Sequence, residues 1–530
     1  MIIIGAGPVG LTMALLLGSY GVQVALIERR STIPSEARAV ALDDECLRIW
    51  QACGLEDAIR GDWEAGEDGA VICVYHDERG RPFLSIRQSV GDLGYPHAVV
   101  IHQGCIGAKL LDAARRSPSI TVLLGHEATE VREDAEGVVV VCRGPDGRTV
   151  SLRAPWLVGC DGGSSIVRDA IGADMEGVTL PESWLIVDID DNGEGSCVDI
   201  RCRRDGASVT LPLPHGVRRV ERALPSAPDD EWIHDDEALR RSLVEVWPDA
   251  GAAAIRNRII RQFSSRAATH WRAGRIFLAG DAAHVSPPFA GQGMASGIRD
   301  AANLSFKLAG ACQGWLGPEV LDTYEVERRP HQRRMDELAR RLRRVMAPRS
   351  RLEASLTQHG LRLLSRSGLL STPWLLRGPG IRQVIQSGFL EPSGLAGRYL
   401  PQPWVIAPGL GRRRLDALLG PRMTWLAVGD GRGAGRLPDR LVGPHDSVLV
   451  EGRDFEDREQ TLQRRFGARS ALLVRPDRVV HTHLSRAAIA ARLKRSDGCR
   501  PTKRSGESAP SCAARPRLLS VSDAFPTAPM

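Results

Sequence analysis

Along the chain, apolar and polar positions fall into three widely separated strand–turn–helix patterns. The first is at the start. Met1-Ile-Ile-Ile4 is a short continuous apolar run, which predicts a buried strand. Gly5-Ala-Gly-Pro-Val-Gly10 interrupts it, and Leu11-Thr-Met-Ala-Leu-Leu-Leu17 then reads as a helix, with Gly21 suited to the residue after it. Val22–Ile27 predicts a second buried strand, which ends at Glu28. This stretch carries no charge, yet it is neither a signal peptide nor a membrane span: it lacks a basic start, and its glycines and proline break the run. The second pattern is Trp156-Leu-Val-Gly-Cys-Asp161-Gly162-Gly-Ser-Ser-Ile-Val-Arg168, and the third is Arg275-Ile-Phe-Leu-Ala-Gly280-Asp281 followed by a proline- and glycine-rich turn and a long helix.

Elsewhere the periodicity changes. Trp184–Ile189 and Ala207–Leu213 alternate as strands do. Glu325 to Arg344 is rich in Arg, Glu and Leu and predicts a solvated charged helix. Ala471-Leu-Leu-Val-Arg-Pro-Asp-Arg478 reads as a late strand and turn. Beyond about Ala491 apolar periodicity stops, and Lys, Arg, Ser and Pro dominate, which predicts disorder.

The turn chemistry is specific. Gly5 permits a tight turn, Gly7 presents no side chain to a pyrophosphate, and Gly10 lets helix and strand approach. Ala6, Pro8 and Val9 complete that turn, and the following helix N-terminus offers free N–H groups to phosphate. Glu28, with Arg29 beside it, stands where ribose hydroxyls would be met. A dinucleotide site follows, without a choice between FAD and NAD. The second pattern would equally suit an ordinary capped helix on its own.

Together, in this order, the three patterns resemble the FAD-dependent aromatic-ring hydroxylase family, the group A flavoprotein monooxygenases. That resemblance implies an α/β fold, α+β overall: a Rossmann-like FAD-binding domain, an inserted β-sheet substrate domain and a thioredoxin-like C-terminal domain. It implies FAD contacts from Arg38 in Ser35–Asp43, from Gln103 in Ile101-His-Gln103, and from Asp161, Gly162, Gly280, Asp281, Pro288, Gly291, Gln292, Gly293 and Met294. Arg168 would serve FAD and the nicotinamide donor. Within the family, Trp184–Asp188, Gly291–Met294, Asp300–Leu304 and Leu400-Pro-Gln-Pro-Trp404 are most similar to members that hydroxylate 3-(3-hydroxyphenyl)propionate.

The implied reaction uses NADH or NADPH and O2 to hydroxylate a small phenolic substrate through a flavin C4a-hydroperoxide. Three alternatives remain open: a polyketide or other natural-product hydroxylase, an FAD-dependent reductase without oxygen insertion, and a non-catalytic FAD-binding protein. No residue is assigned to activate the phenol. Two departures stand out. Ala295 replaces a common asparagine, and Met1 already lies inside the first strand. The expected domains are 1–70, 98–178 and 268–345 for FAD, 71–97 and 179–267 for substrate, 346–390 as a helical connection, 391–490 as the C-terminal domain and 491–530 as a disordered basic tail.

Composition removes other classes. With 530 residues the chain is long enough for several domains. Its eleven cysteines contain no C-x-x-C pair, so neither a zinc ribbon nor a dithiol redox pair is expected, and reduced cysteines predict the cytoplasm. No histidine and cysteine set has metal-ligand spacing; Cys73/His76 and His97/His102 lack further ligands. His284 reads as structural. Gly429–Gly435 lacks the framing strand and helix of a second nucleotide site. The net charge of +6 suggests nucleic acid until it is located: residues 491–530 hold eight Lys/Arg against three Asp/Glu, or +5, with one aromatic residue. No nucleic-acid or membrane partner is expected, and a homodimer is an expected assembly.

Overall fold

The structure is a computed structural model that describes the chain except residues 35–38, 65–70, 192–196, 205, 225–231, 349, 368–381, 430–441, 486, 490–516 and 520–530. The strand Ile2–Ile4 lies inside a six-stranded sheet. From one edge the order is Arg272–Ala273, Ile276–Leu278, Leu157–Gly159, Ile2–Ile4, Val24–Glu28 and Ile120–Leu124. All neighbours run parallel except the first pair. Parallel sheets are covered on both faces, which explains why the central strands Ile2–Ile4, Leu157–Gly159 and Ile276–Leu278 are apolar and buried throughout. The helix Pro8–Ser19 is buried from Gly10 through Leu17 and packs on the helix Gly293–Gln313.

A second sheet has eight strands, in the order His284–Val285, Ile255–Ala268, Met175–Asp190, Val217–Leu224, Ser208–Leu213, Cys197–Arg201, Val71–His76 and Pro82–Gln88. Two of its strands are long, Met175–Asp190 and Ile255–Ala268, and they pair along their length with breaks in register at Thr179/Ser183 and Asp188/Ile189. The expected domain limits at 178 and 267 therefore fall within continuous strands. The paired ends of these strands, Met175 and Ala268, pack into the core around the six-stranded sheet. The outer face of this sheet is covered by the helix Asp236–Val244, through Val187, Val220, Leu239 and Leu243.

The charged segment from Glu325 to Arg344 lies within the helix Thr323–Met346, which is not a solvated helix on all faces. Glu327, Arg328, His331 and Gln332 are buried. Polar residues were the wrong guide to exposure here because their partners come from elsewhere in the chain. Glu327 accepts from Asn303 Nδ2 (2.6 Å), from Arg475 Nη2 (2.9 Å) and from the Phe389 N–H (2.7 Å), and Lys307 Nζ lies 2.9 Å from it. Burial pushes the Glu327 carboxyl up, but Arg475 and Lys307 outweigh it and hold it at about 2. Burial lowers Lys307 to about 7, since it shares its one carboxylate with Arg475.

Arg475 belongs to the C-terminal unit. Its sheet has the order Ser447–Val450, Thr424–Val428, Ser470–Val474 and Val480–Leu484. In chain order this is second, first, third, fourth; the first pair is parallel and the others antiparallel, the arrangement of a thioredoxin-like core. Within the expected connection, the helix Arg351–Arg366 is present. Most of the Gly429–Gly435 stretch lies outside the described residues, as does most of the tail. The tail expectation needs one correction: Arg517–Leu519 forms a strand paired antiparallel with Thr149–Ala154. Among the described residues, eight cysteines are free thiols, as the lack of a C-x-x-C pair suggests.

Candidate active site

The first turn is built as its glycines require. Gly5 has φ +103°, and a Cβ there would stand 2.3 Å from the Cys160 carbonyl oxygen. A Cβ on Gly10 would stand 1.9 Å from the Gly5 oxygen. Gly7 is different: a Cβ would meet no protein atom within 4 Å, because Gly7 faces a cavity. The N–H groups of Val9 and Gly10, in the first turn of the helix, have no intrahelical acceptor. Glu28 is oriented by two backbone donors, the Ala6 N–H to Oε2 (2.9 Å) and the Arg30 N–H to Oε1 (3.0 Å), which leaves further lone pairs for hydroxyl groups. This is a cradle with room, donors and an acceptor for a pyrophosphate and a ribose, so the residues fit FAD.

The cavity has a volume of about 1290 Å³ and runs from this cradle to the inner face of the eight-stranded sheet. Of the expected cofactor residues, Gly5, Gly7, Pro8, Val9, Glu28, Arg29, Gln103, Asp161, Gly162, Asp281, Pro288, Gly291, Gly293 and Met294 line it. Asp161 also caps the helix Ile166–Ala170, accepting from Ser165 Oγ (2.6 Å) and the Val167 N–H (3.3 Å), while burial raises its carboxyl. The ordinary capping pattern and the cavity-facing acid are thus one residue. Gln103 accepts the Ala39 N–H at 2.6 Å, which ties it to the segment containing Arg38; Arg38 itself lies outside the described residues.

Five expected residues do not line the cavity, and each has a structural reason. The Ala6 N–H is spent on Glu28, and Gly10 is pressed against Gly5. Arg168 is buried, and its Nη1 lies 3.4 Å from the Ala282 carbonyl oxygen, bracing the next motif from behind. Gln292 accepts from Arg299 Nη1 at 3.0 Å, and Arg299 is held by Asp43 and Glu45. Gly280 has φ +61° and is clamped by Val9 and by Asp300. Ala295 is fully buried within the first turn of its helix and faces away from the cavity, so this departure removes no cavity-facing group.

Asp300 was legible only as part of a resemblance, yet it organises the third motif. Its Oδ2 accepts the Gly280 N–H (3.1 Å) and pairs with His284 Nε2 (2.7 Å), and its Oδ1 accepts Arg328 Nε (2.8 Å). Burial would raise this carboxyl, but His284 and Arg328 hold it below the usual range. His284 is buried against Trp271, in keeping with a structural role. An Asp300→Asn variant keeps the shape and mismatches two donors. It is expected to lose about 2 kcal/mol of stability and to release FAD faster, as thermal melting and FAD retention on dilution would report.

The substrate side of the cavity is lined by alternate residues of adjacent strands, including Trp184 and Ile186, Asn257, Ile259, Arg261 and Phe263, and Glu221. Trp184 packs edge-on to Phe289 at 5.6 Å and near Phe263 at 6.4 Å. Trp184 Nε1 is buried and has no acceptor among the described residues. Glu221 and Arg261 had no signal in the linear sequence, because only strand pairing places them on the inner face. One group of potential metal ligands comes together among the described residues, Asp62, Cys105 and His215. The Lys109 ammonium already pairs with Asp62, as does His215 Nε2 at 3.0 Å. No helix among the described residues is long and apolar enough to cross a membrane.

A glycine cradle, an acid at the end of the second strand and a long helix aimed at an aromatic-lined cavity fit a flavin-dinucleotide-binding protein. The FAD binding domain family model matches residues 1–339, and the chain belongs to the FAD-dependent aromatic-ring hydroxylase family. The 3-(3-hydroxy-phenyl)propionate/3-hydroxycinnamic acid hydroxylase of Burkholderia cenocepacia is 32% identical, covering 92% of this chain and 94% of its own length. The protein of the same name in Mycolicibacterium smegmatis is 37% identical over 67% of this chain and 63% of its own length. Among solved structures, the anhydrotetracycline hydroxylase of Streptomyces rimosus superposes with a TM-score of 0.74 at 26% identity, covering 92% of this chain and 96% of that one. The chain is therefore an FAD-dependent aromatic hydroxylase, and the reading as a flavin reductase or a non-catalytic scaffold is not the one its relatives support.

Proposed function

We propose that the protein hydroxylates a small phenol bearing an acidic side chain, with NADH or NADPH as electron donor and O2 as the oxygen source. The observation that carries this reading is the single cavity that joins the nucleotide cradle to an apolar sheet face with one guanidinium on its substrate side. FAD would lie along Gly5–Gly10, with its ribose at Glu28 and the remainder reaching Asp161, Asp281, Pro288 and the N-terminus of the helix Gly293–Gln313. That helix end carries partial positive charge toward the cavity. When bound, FAD supplies the redox chemistry that activates oxygen. The chain's own share is placement and exclusion of water: Trp184, Phe263 and Phe289 bound a flat ring, and Ile186, Ile200 and Ile259 keep the space apolar.

The names of the relatives support a hydroxyphenylpropionate-like substrate, and Arg261 would meet its carboxylate. Arg261→Met is expected to raise KM for carboxylated phenols roughly tenfold, the ~1.4 kcal/mol scale of one charge-assisted contact, with little change for uncharged phenols. Steady-state kinetics on matched pairs would measure it. The work is assigned to the cytoplasm, where the nicotinamide donor is found, and to a homodimer. Incubation with 18O2 tests the reaction: one labelled oxygen in the product supports it, and unlabelled product or none from a panel of phenols sinks it.

A further inference from the structure

Strand register places one carboxylate in the middle of an apolar row. Across the inner face of the eight-stranded sheet, Ile259 is opposite Ile186, Ile186 opposite Glu221, Glu221 opposite Val209, Val209 opposite Ile200, and Ile200 opposite Tyr75. All six line the cavity. A structural acid in such a row needs a strong partner. The nearest cation, Arg219, is two residues along the same strand, but its fork is already bidentate to Asp188, with Nε–Oδ1 2.7 Å and Nη2–Oδ2 2.9 Å. Among the described residues, the one cation paired with Glu221 is Arg219, whose Nη1 lies 3.9 Å away.

We propose that Glu221 is the base that takes the phenolic proton of the bound substrate. This rests on the phenol hydroxylase reading above and supplies the activating residue that reading lacks. The substrate O–H bond breaks, a Glu221 Oε–H bond forms, and the bonding pair stays on the phenolic oxygen. Electron density rises at the ring carbons ortho and para to it, and no electron leaves the ring in this step. The proton returns when the product regains its phenol. The surroundings suit the task. Burial raises the Glu221 carboxyl, the Asp188 charge on the neighbouring strand adds to this, and Arg219 opposes it. Among the described residues, Tyr75, Cys73 and Arg261 are the other ionisable side chains that line the cavity from this face, and burial holds the Tyr75 hydroxyl and the Cys73 thiol protonated. A carboxylate raised in this way accepts a proton more readily than one in water.

The test uses the FAD-loaded protein and 4-nitrophenol, whose anion is coloured. At a pH below the dye's own ionisation midpoint, binding to the wild type is expected to produce the phenolate band. Glu221→Gln should bind the dye within threefold of wild-type affinity and lose at least four-fifths of the band; Glu221→Asp should keep part of it. FAD content reports folding in each variant. Equal bands in wild type and Glu221→Gln overturn the proposal, as does dye binding to wild type with no band or no binding at all. A Glu221-dependent band with no 18O in any product would overturn the hydroxylase reading while leaving proton transfer standing.

Discussion

A Gly7→Val variant is expected to fold and to purify without colour. A Cβ at Gly7 meets no protein atom within 4 Å, so the turn has room to accept it. It projects instead into the space where the backbone must approach a pyrophosphate. Displacing the diphosphate from two charge-assisted N–H contacts costs ~3–6 kcal/mol, or roughly a hundredfold to ten-thousandfold in FAD affinity. Gly10→Val gives the contrasting result: its side chain collides with the Gly5 carbonyl, and the first turn cannot form. Fluorescence titration with FAD and circular dichroism separate the two. If Gly7→Val binds FAD as the wild type does, the cradle is misassigned.

The second large effect is on stability. Glu327→Leu removes the carboxylate that Lys307 and Arg475 share and that also accepts from Asn303 and the Phe389 N–H; Arg475 keeps Asp477, while Lys307 loses its paired carboxylate. Stranding a buried cation costs about 3–5 kcal/mol, which denaturant unfolding would show. The same cluster gives a signed pH dependence. An unfolded carboxyl of this type titrates near ~4.3, and Glu327 is held at about 2, so its contribution is full above the first value and is lost as pH falls toward the second. Lys307 works at the other end. Between about 7 and the unfolded value of ~10.4, the unfolded chain holds a proton that the folded one has released, so stability rises with pH. Lys307→Met should flatten that upper limb. A Glu327→Leu protein as stable as wild type would show that the cluster is not holding the two units together.

How far the sequence reveals this molecule depends on the range of the interaction concerned. The cradle is legible because Gly5, Gly7, Gly10 and Glu28 act within one strand–turn–helix–strand unit. The loop at Gly280 is legible as a motif, but its anchor is not, since Asp300 and Arg328 sit on later helices. The helix Thr323–Met346 misleads in isolation: its charges look solvated until Arg475, more than a hundred residues on, turns up as a partner. Glu221 is hidden by the same logic in a sheet. Val217–Leu224 has Val220 and Leu224 packed on the outer helix, so Glu221 reads as a solvent-side position when it faces the cavity.

The order of strands in the six-stranded sheet has a consequence for synthesis on the ribosome. Ile2–Ile4 can pair at once with Val24–Glu28, but its other neighbour, Leu157–Gly159, comes more than 150 residues later, and Ile276–Leu278 must follow to cover that strand. At ~5–20 residues per second, the nascent N-terminus waits roughly ten seconds to a minute with an apolar edge open. The glycine turn is made first and completed late. Flavin loading is thus placed after the helix Gly293–Gln313 has been made, and until then the first strand keeps an apolar edge exposed.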